Sequence, residues 1–124
     1  MELLKKLCTF SPSGREEGVA AIIAQEMRPY CDEITTDVMG NLICHKKGPG
    51  KKLMLSAHMD EIGFIVTLID EKGYLHFAPV GGHMVASIIN QRVRFANGTL
   101  GVICPKEEVK LGDLKLKDCY IDIG

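Results

Sequence analysis

Closely spaced turn residues limit what most of this chain can fold into. After residue 31, glycine, asparagine, aspartate and proline cluster at five places: Gly40-Asn41, Gly48-Pro49-Gly50, Asp70-Glu71-Lys72-Gly73, Gly81-Gly82 and Asn97-Gly98. The apolar runs between these clusters are mostly shorter than a stable helix and suit strands of roughly four to eight residues. The sequence therefore predicts a chain that is largely β-structure after residue 31, with Asn97-Gly98 as a strong hairpin turn.

The first 30 residues predict two helices. Leucines at helical spacing indicate a short helix over 2–10, which ends where Ser11 precedes a proline. Ser13 and Glu16 match a capping box, in which each side chain would bond to the backbone amide of the other, so we expect the second helix to begin there. An apolar stripe along this helix should pack on a sheet; it comprises Val19, Ile22, Ile23, Met27 and Tyr30.

Three strands are predicted between the second helix and Gly63, over 33–38, 42–46 and 52–57. The third contains Leu53-Met54-Leu55, an unbroken apolar run typical of a strand that is buried on both faces.

Beyond Gly63 the pattern is all-β and resembles a small barrel or sandwich. Strands are predicted over 64–69, 74–79, 93–95, 100–104 and 119–123. The change from a helix-containing half to an all-β half predicts a domain boundary near residue 66. The expected fold is thus mixed α/β over 1–66, followed by small all-β, barrel-like structure over 67–124.

Composition excludes some classes of partner. Fifteen basic and sixteen acidic side chains leave a formal charge of -1, so nucleic acid is not indicated. No run approaches the roughly 20 apolar residues that span a bilayer, and the N-terminus lacks a signal-peptide core, so we expect a cytoplasmic protein without a membrane partner. Five cysteines without C-x-x-C spacing favour reduced, buried thiols over a disulfide framework.

His58 and Asp60 are the strongest candidate site residues. Positions two apart on a strand share one face, with Cα atoms roughly 7 Å apart. His58 could hold a metal ion while the carboxylate of Asp60 orients its imidazole. An equally supported interpretation at this stage is a structural histidine beside an exposed acid, because the H-x-D pattern is short.

The other candidates are weaker. Glu61 would point away from Asp60 on a strand, which argues against a catalytic carboxylate pair and favours a solvated or capping role. His45, His76 and His83 are isolated, and lone histidines are more often solvated or hydrogen-bonded in place than metal-binding. Motifs of serine nucleophiles, P-loops and dinucleotide sites are missing from the sequence. No cysteine has an obvious activating histidine, so thiol catalysis is only weakly supported.

Several motifs together resemble the M42 family of metalloaminopeptidases. They occur in order along the chain and are SPSGRE (11–16), DVMGN (37–41), SAHMDEIGF (56–64), FAPVGG (77–82), QRV (91–93), GTLGVI (98–103) and YIDIG (120–124). A single motif of this kind would be weak, whereas the ordered set is specific.

The resemblance implies an aminopeptidase that removes N-terminal residues from peptides with two divalent ions, commonly zinc or cobalt. By position, His58 is similar to the first metal ligand and Asp60 to the catalytic-site residue that holds its imidazole. The family has an α/β catalytic domain interrupted by an inserted β domain, here 1–66 and 67–124, through which it forms homo-oligomers. The remaining ligands and the glutamate base would lie outside these residues, so we expect the isolated chain to be inactive. The alternative is a non-catalytic module that assembles with a full-length relative.

Overall fold

The computed structural model describes the backbone of residues 1–124 and every side chain except that of Leu111. The chain divides into two compact units, Met1–Glu61 and Ile62–Gly124. The division falls before the predicted boundary at residue 66, because the strand that contains residue 66 belongs wholly to the second unit.

The first unit begins with two helices, α1 (Glu2–Leu7) and α2 (Glu17–Met27). Helix α1 ends three residues earlier than predicted, at Leu7 rather than residue 10. Val19 is the buried residue of α2, with 3% of its surface exposed, and α2 contacts the sheet of this unit. Tyr30, predicted to continue the apolar stripe, lies beyond the helix and is exposed.

The predicted capping box at the start of α2 is wrong. Glu16, not Ser13, occupies the N-cap position, and its carboxylate accepts a hydrogen bond from the Gly14 amide at 2.6 Å. Gly14 adopts a φ of +87°, a left-handed conformation that glycine tolerates best. The Ser13 hydroxyl donates its hydrogen bond to Asp60, far along the chain, and not to the helix.

The strands predicted over 33–38 and 42–46 both form, as β1 (Glu33–Thr36) and β2 (Leu42–His45), and they pair antiparallel in a β-hairpin. Asp37 organises its turn. The carboxylate accepts hydrogen bonds at 2.9 Å from the backbone amides of Met39 and Asn41 and from the Asn41 side chain.

The predicted strand over 52–57 is not formed, which corrects the expectation of a central buried strand. Residues 51–60 are in neither helix nor strand, and Leu53, Met54 and Leu55 are 86%, 85% and 89% exposed. A strand exists only when a neighbour completes its hydrogen-bond ladder. Within the described residues, no segment pairs with this one.

The second unit is a curled, five-stranded antiparallel sheet with the strand order β3-β4-β7-β6-β5. Its strands are β3 (Gly63–Ile69), β4 (Leu75–Val80), β5 (Arg92–Arg94), β6 (Leu100–Pro105) and β7 (Cys119–Asp122). All five strands were predicted. A short helix, α3 (Val85–Ile88), and two 3₁₀ turns, Leu111–Asp113 and Leu116–Asp118, were not.

One face of this sheet carries the hydrophobic core of the unit. The buried residues alternate along the strands and are joined by two from outside the sheet: Leu75, Phe77, Ile88, Ile103, Leu114, Cys119 and Ile121. Position 101 lies on β6 beside its partner strand β7 and has room only for glycine. A Cβ there would lie 2.6 Å from Ile121 Cγ2 and 3.0 Å from the Asp122 carbonyl oxygen. In the described part of the chain, no helix is long and apolar enough to cross a membrane.

Candidate functional site

His58 and Asp60 come into direct contact in the first unit. His58 Nδ1 lies 3.2 Å from Asp60 Oδ1 and 3.0 Å from the Asp60 backbone oxygen. The predicted imidazole–carboxylate contact therefore forms, although these residues do not lie on a strand. Their separation of two positions lets the chain bring them together locally.

The two partners of Nδ1 determine where the neutral imidazole carries its proton. A carbonyl oxygen and an ionised carboxylate oxygen can only accept hydrogen bonds, so Nδ1 is the N–H donor. Nε2 then carries the free lone pair, and no described residue bonds to it. The His58 side chain is 86% exposed, which leaves Nε2 accessible to a ligand.

Ser13 joins His58 and Asp60 in this site, although the sequence pattern had predicted that it caps a helix. Its hydroxyl donates to Asp60 Oδ2 at 2.5 Å. This bond is the main cause of a lowered pKa of Asp60; partial desolvation opposes the shift, and the hydrogen bond from His58 adds to it. Asp60 is therefore held as a carboxylate, with one oxygen bound to Ser13 and the other to His58.

Glu61 connects the same two segments through the backbone. Its amide donates to the Ser11 carbonyl oxygen at 2.9 Å, and its Oε1 accepts from the Ser11 amide at 3.0 Å. A parallel bridge between Pro12 and Glu61 adds to this connection. Ser11 belongs to neither helix, so Glu61 connects two segments of the chain and caps neither α1 nor α2.

A complete metal site is not present in the part of the chain that the structure describes. No group of three or more His, Cys, Asp or Glu side chains there could hold a metal ion. His58 fits one ligand position, with Nε2 free and Nδ1 oriented by a carboxylate, which is the usual arrangement of a metal-binding histidine. Zinc sites need about three or four protein ligands.

The remaining histidines are either exposed or hydrogen-bonded in place. His45 is exposed on β2. His76 Nε2 lies 3.2 Å from Asp70 Oδ2. The His83 ring stacks on Phe64 with centroids 4.3 Å apart, and its Nε2 lies 2.8 Å from the Gly63 carbonyl oxygen.

The cysteines are free thiols, as predicted, but they are less buried than expected. Cys119 is buried; Cys31, Cys44 and Cys104 are half-buried, and Cys8 is exposed. Desolvation raises the pKa of the Cys44, Cys104 and Cys119 thiols. These three are therefore poor nucleophiles at neutral pH.

Comparison with known proteins decides the family. The sequence profile of the family described as M42 glutamyl aminopeptidase matches residues 40–124, more than half of the chain. The chain belongs to the M42 aminopeptidase family. M42 aminopeptidases are generally metal-dependent peptidases.

Individual M42 relatives match almost the whole chain. A protein of Acetivibrio thermocellus that is named as an aminopeptidase is 47% identical over 125 residues, covering 99% of this chain and 38% of its own. The crystal structure of the TET aminopeptidase from the marine sediment archaeon Thaumarchaeota archaeon SCGC AB-539-E09 is 36% identical, with a TM-score of 0.89, and is covered over 38% of its length.

A third M42 relative is described by its assembly. The TET1 peptidase of Pyrococcus horikoshii can assemble into a tetrahedron or a large octahedral shell; it is 31% identical, with a TM-score of 0.84 over 99% of this chain and 40% of its own. The present chain thus spans less than half the length of the curated relatives that it matches, about 38% in the case of the A. thermocellus protein.

Proposed function

We propose that this chain is the part of an M42 aminopeptidase that supplies His58 as a ligand of a two-metal centre. The enzyme would remove N-terminal residues from peptides and would use two divalent ions, zinc or cobalt. The observation that carries the proposal is the His58–Asp60 contact, in which Nδ1 is bound by Asp60 and Nε2 remains free. That arrangement turns the coordinating nitrogen of His58 outwards.

The chain's own residues have defined tasks in this proposal. The metal ions, when bound, would polarise the peptide carbonyl and lower the pKa of a water molecule. His58 would contribute Nε2, and Asp60 would hold the proton on Nδ1 and raise the basicity of Nε2 as a ligand. The hydrogen bond from Ser13 lowers the pKa of Asp60 and anchors its carboxylate.

The other ligands and the general base would come from polypeptide outside these 124 residues. Two observations support this proposal: no described cluster provides three metal-binding groups, and the matched relatives are much longer than this chain. We therefore expect the isolated chain to have no aminopeptidase activity.

We also propose that residues 67–124 belong to an inserted β domain through which the protein forms homo-oligomers. The support is the ability of the P. horikoshii TET1 peptidase to form large shells. Light scattering on this chain, and on a variant that ends at Glu61, the last residue of the first unit, would test it. Association of the longer chain alone is the expected result.

A chimera tests the metal-ligand role directly. Residues 1–124 would replace the matching segment of the P. horikoshii TET1 peptidase, and release of leucine from a leucyl p-nitroanilide would be measured with zinc or cobalt. We expect metal-dependent turnover by the chimera and none by the isolated chain. His58→Ala should reduce the chimera's turnover by at least roughly 100-fold, because a ligand is lost.

His45→Ala is the matched control, since His45 is an exposed histidine of the same unit on β2. It should leave turnover within about twofold of the parent chimera. Equal losses in the two variants would contradict a specific role for His58. Chelator-sensitive turnover by the isolated chain would show that these residues complete a metal site by themselves.

A further inference from the structure

Ser13 makes a hydrogen bond that its position does not explain. It stands three residues before Glu16 in a pattern typical of helix capping, yet its hydroxyl reaches 47 positions along the chain to Asp60 Oδ2. A hydroxyl has one proton to donate. Ser13 gives this proton to Asp60, and it does not cap α2, because that helix begins at Glu17 with Glu16 at its N-cap.

The two oxygens of Asp60 have separate tasks. Oδ2 accepts from Ser13, and Oδ1 faces His58 Nδ1. A carboxylate that is anchored through one oxygen cannot rotate freely about its χ2 torsion, so the Ser13 bond also fixes the direction of the other oxygen. Ser13 is thereby linked to the protonated nitrogen of His58 without touching it.

The position of Ser13 is itself restrained. Ser11 is buried, with 3% of its surface exposed, and exchanges two backbone-centred hydrogen bonds with Glu61, the residue after Asp60. The Pro12–Glu61 bridge lies between these contacts. Segments 11–13 and 60–61 are therefore joined by adjacent bonds, which place the Ser13 hydroxyl beside Asp60.

We propose that Ser13 is a positioning residue for the metal ligand His58. By anchoring Asp60, it favours the His58 tautomer that is protonated on Nδ1 and presents Nε2 to a metal ion. This inference rests on the proposed function, because the value of a free Nε2 lies in binding the metal. Ser13 contacts neither the metal nor the substrate in this scheme; it acts through Asp60.

The tautomer can be observed without turnover or metal. Long-range ¹H–¹⁵N correlation spectra of the 124-residue chain, recorded at about pH 8, distinguish the two neutral forms of His58. We expect the Nδ1–H form to predominate. Ser13→Ala should lower the ratio of Nδ1–H to Nε2–H by about fivefold, the factor contributed by one ordinary hydrogen bond. The loss is partial because the Asp60 backbone oxygen still accepts from Nδ1.

Three further variants make the test specific. Ser13→Thr keeps the hydroxyl and should restore the parent ratio. Ser87→Ala removes a serine hydroxyl that donates to the Met84 carbonyl oxygen in the other unit, and it should leave the ratio unchanged. In an Asp60→Ala background, Ser13→Ala should have no further effect, because Ser13 acts only through Asp60.

The turnover of the chimera separates this inference from the proposed function, because the described residues of the isolated chain supply too few ligands to hold zinc. An unchanged tautomer ratio in Ser13→Ala would overturn the positioning role, and loss of the chimera's turnover in His58→Ala would leave the ligand role in place. Metal-dependent turnover of the chimera that survives His58→Ala would overturn the ligand role, whatever the tautomer ratio.

Discussion

Glu61 and Ser11 are joined by two hydrogen bonds that run in opposite directions, one from the Glu61 amide and one to its carboxylate. The pair fastens the loop before α2 to the segment that carries His58 and Asp60. Since Ser11 is buried, loss of the carboxylate would leave its amide without a partner.

Glu61→Ala should therefore loosen this connection. An unpaired buried amide costs about 1–3 kcal/mol, equivalent to roughly 5- to 150-fold faster hydrogen exchange of the Ser11 amide. NMR-detected exchange measures this directly. Glu71→Ala, at an exposed glutamate in the β3–β4 turn, is the control and should not change the Ser11 rate. Equal rates in the two variants would show that the carboxylate does not protect Ser11.

Gly101→Ala should destabilise the second unit. The added methyl group would meet both Ile121 and the Asp122 backbone oxygen at distances shorter than normal contact, and the backbone oxygen cannot move without disrupting the β6–β7 pairing. We expect a loss of about 1–3 kcal/mol in the free energy of unfolding, measured by urea denaturation. Gly82→Ala has open space around the new methyl group and should change stability by less than about 0.5 kcal/mol.

The β1–β2 turn should open in acid. The hydrogen bonds of Asn41, side chain first and then backbone, lower the pKa of Asp37 below its usual value of 3.8. A carboxyl group whose pKa is lowered in the folded state stabilises that state fully above its unfolded pKa, and the stabilisation is lost as the pH falls through the folded pKa.

Exchange of the Met39 and Asn41 amides should thus accelerate, relative to the intrinsic rate, as the pH drops below 3.8. Asp37→Asn should remove most of this pH dependence. Asp113→Asn, at an exposed aspartate of the second unit, should leave it intact. Pronounced acid opening in the Asp37→Asn variant would assign the effect to another group.

His83 should be replaceable by another ring at modest cost. It combines stacking on Phe64 with a hydrogen bond to the Gly63 carbonyl oxygen. His83→Phe would keep the stacking and lose the hydrogen bond, with a loss of about 1 kcal/mol in the free energy of unfolding, whereas His83→Ala would lose both and should cost more. Thermal unfolding of the two variants checks the order; a reversed order would show that the ring contact contributes little.

Local chemistry made much of this structure predictable. Asn97-Gly98 predicts a hairpin because glycine adopts the required positive φ, which is +88° at Gly98. The strands of the second unit follow because turn residues bound each one. The His58–Asp60 contact was also predictable, since residues two apart can meet whether or not they form a strand.

The errors concern residues whose partners are distant in sequence. Leu53-Met54-Leu55 has the composition of a buried strand, but pairing with another segment, which composition does not reveal, decides whether a strand forms. Ser13 has the local pattern of a helix cap, and its hydroxyl is used elsewhere. No signal within the first 20 residues could have indicated Asp60 as its partner.

The bonds from Ser11 to Glu61 and from Ser13 to Asp60 close a loop that contains α2 and the β1–β2 hairpin. The chain between Ser13 and Asp60 begins and ends at these two hydrogen-bonded contacts. Insertions at the tip of the β1–β2 hairpin therefore need not change the geometry of His58. Loop-closure entropy rises slowly with length, by about 0.6 kcal/mol for each doubling. The segment between the two contacts can therefore become longer during evolution while the hydrogen bonds around His58 stay the same.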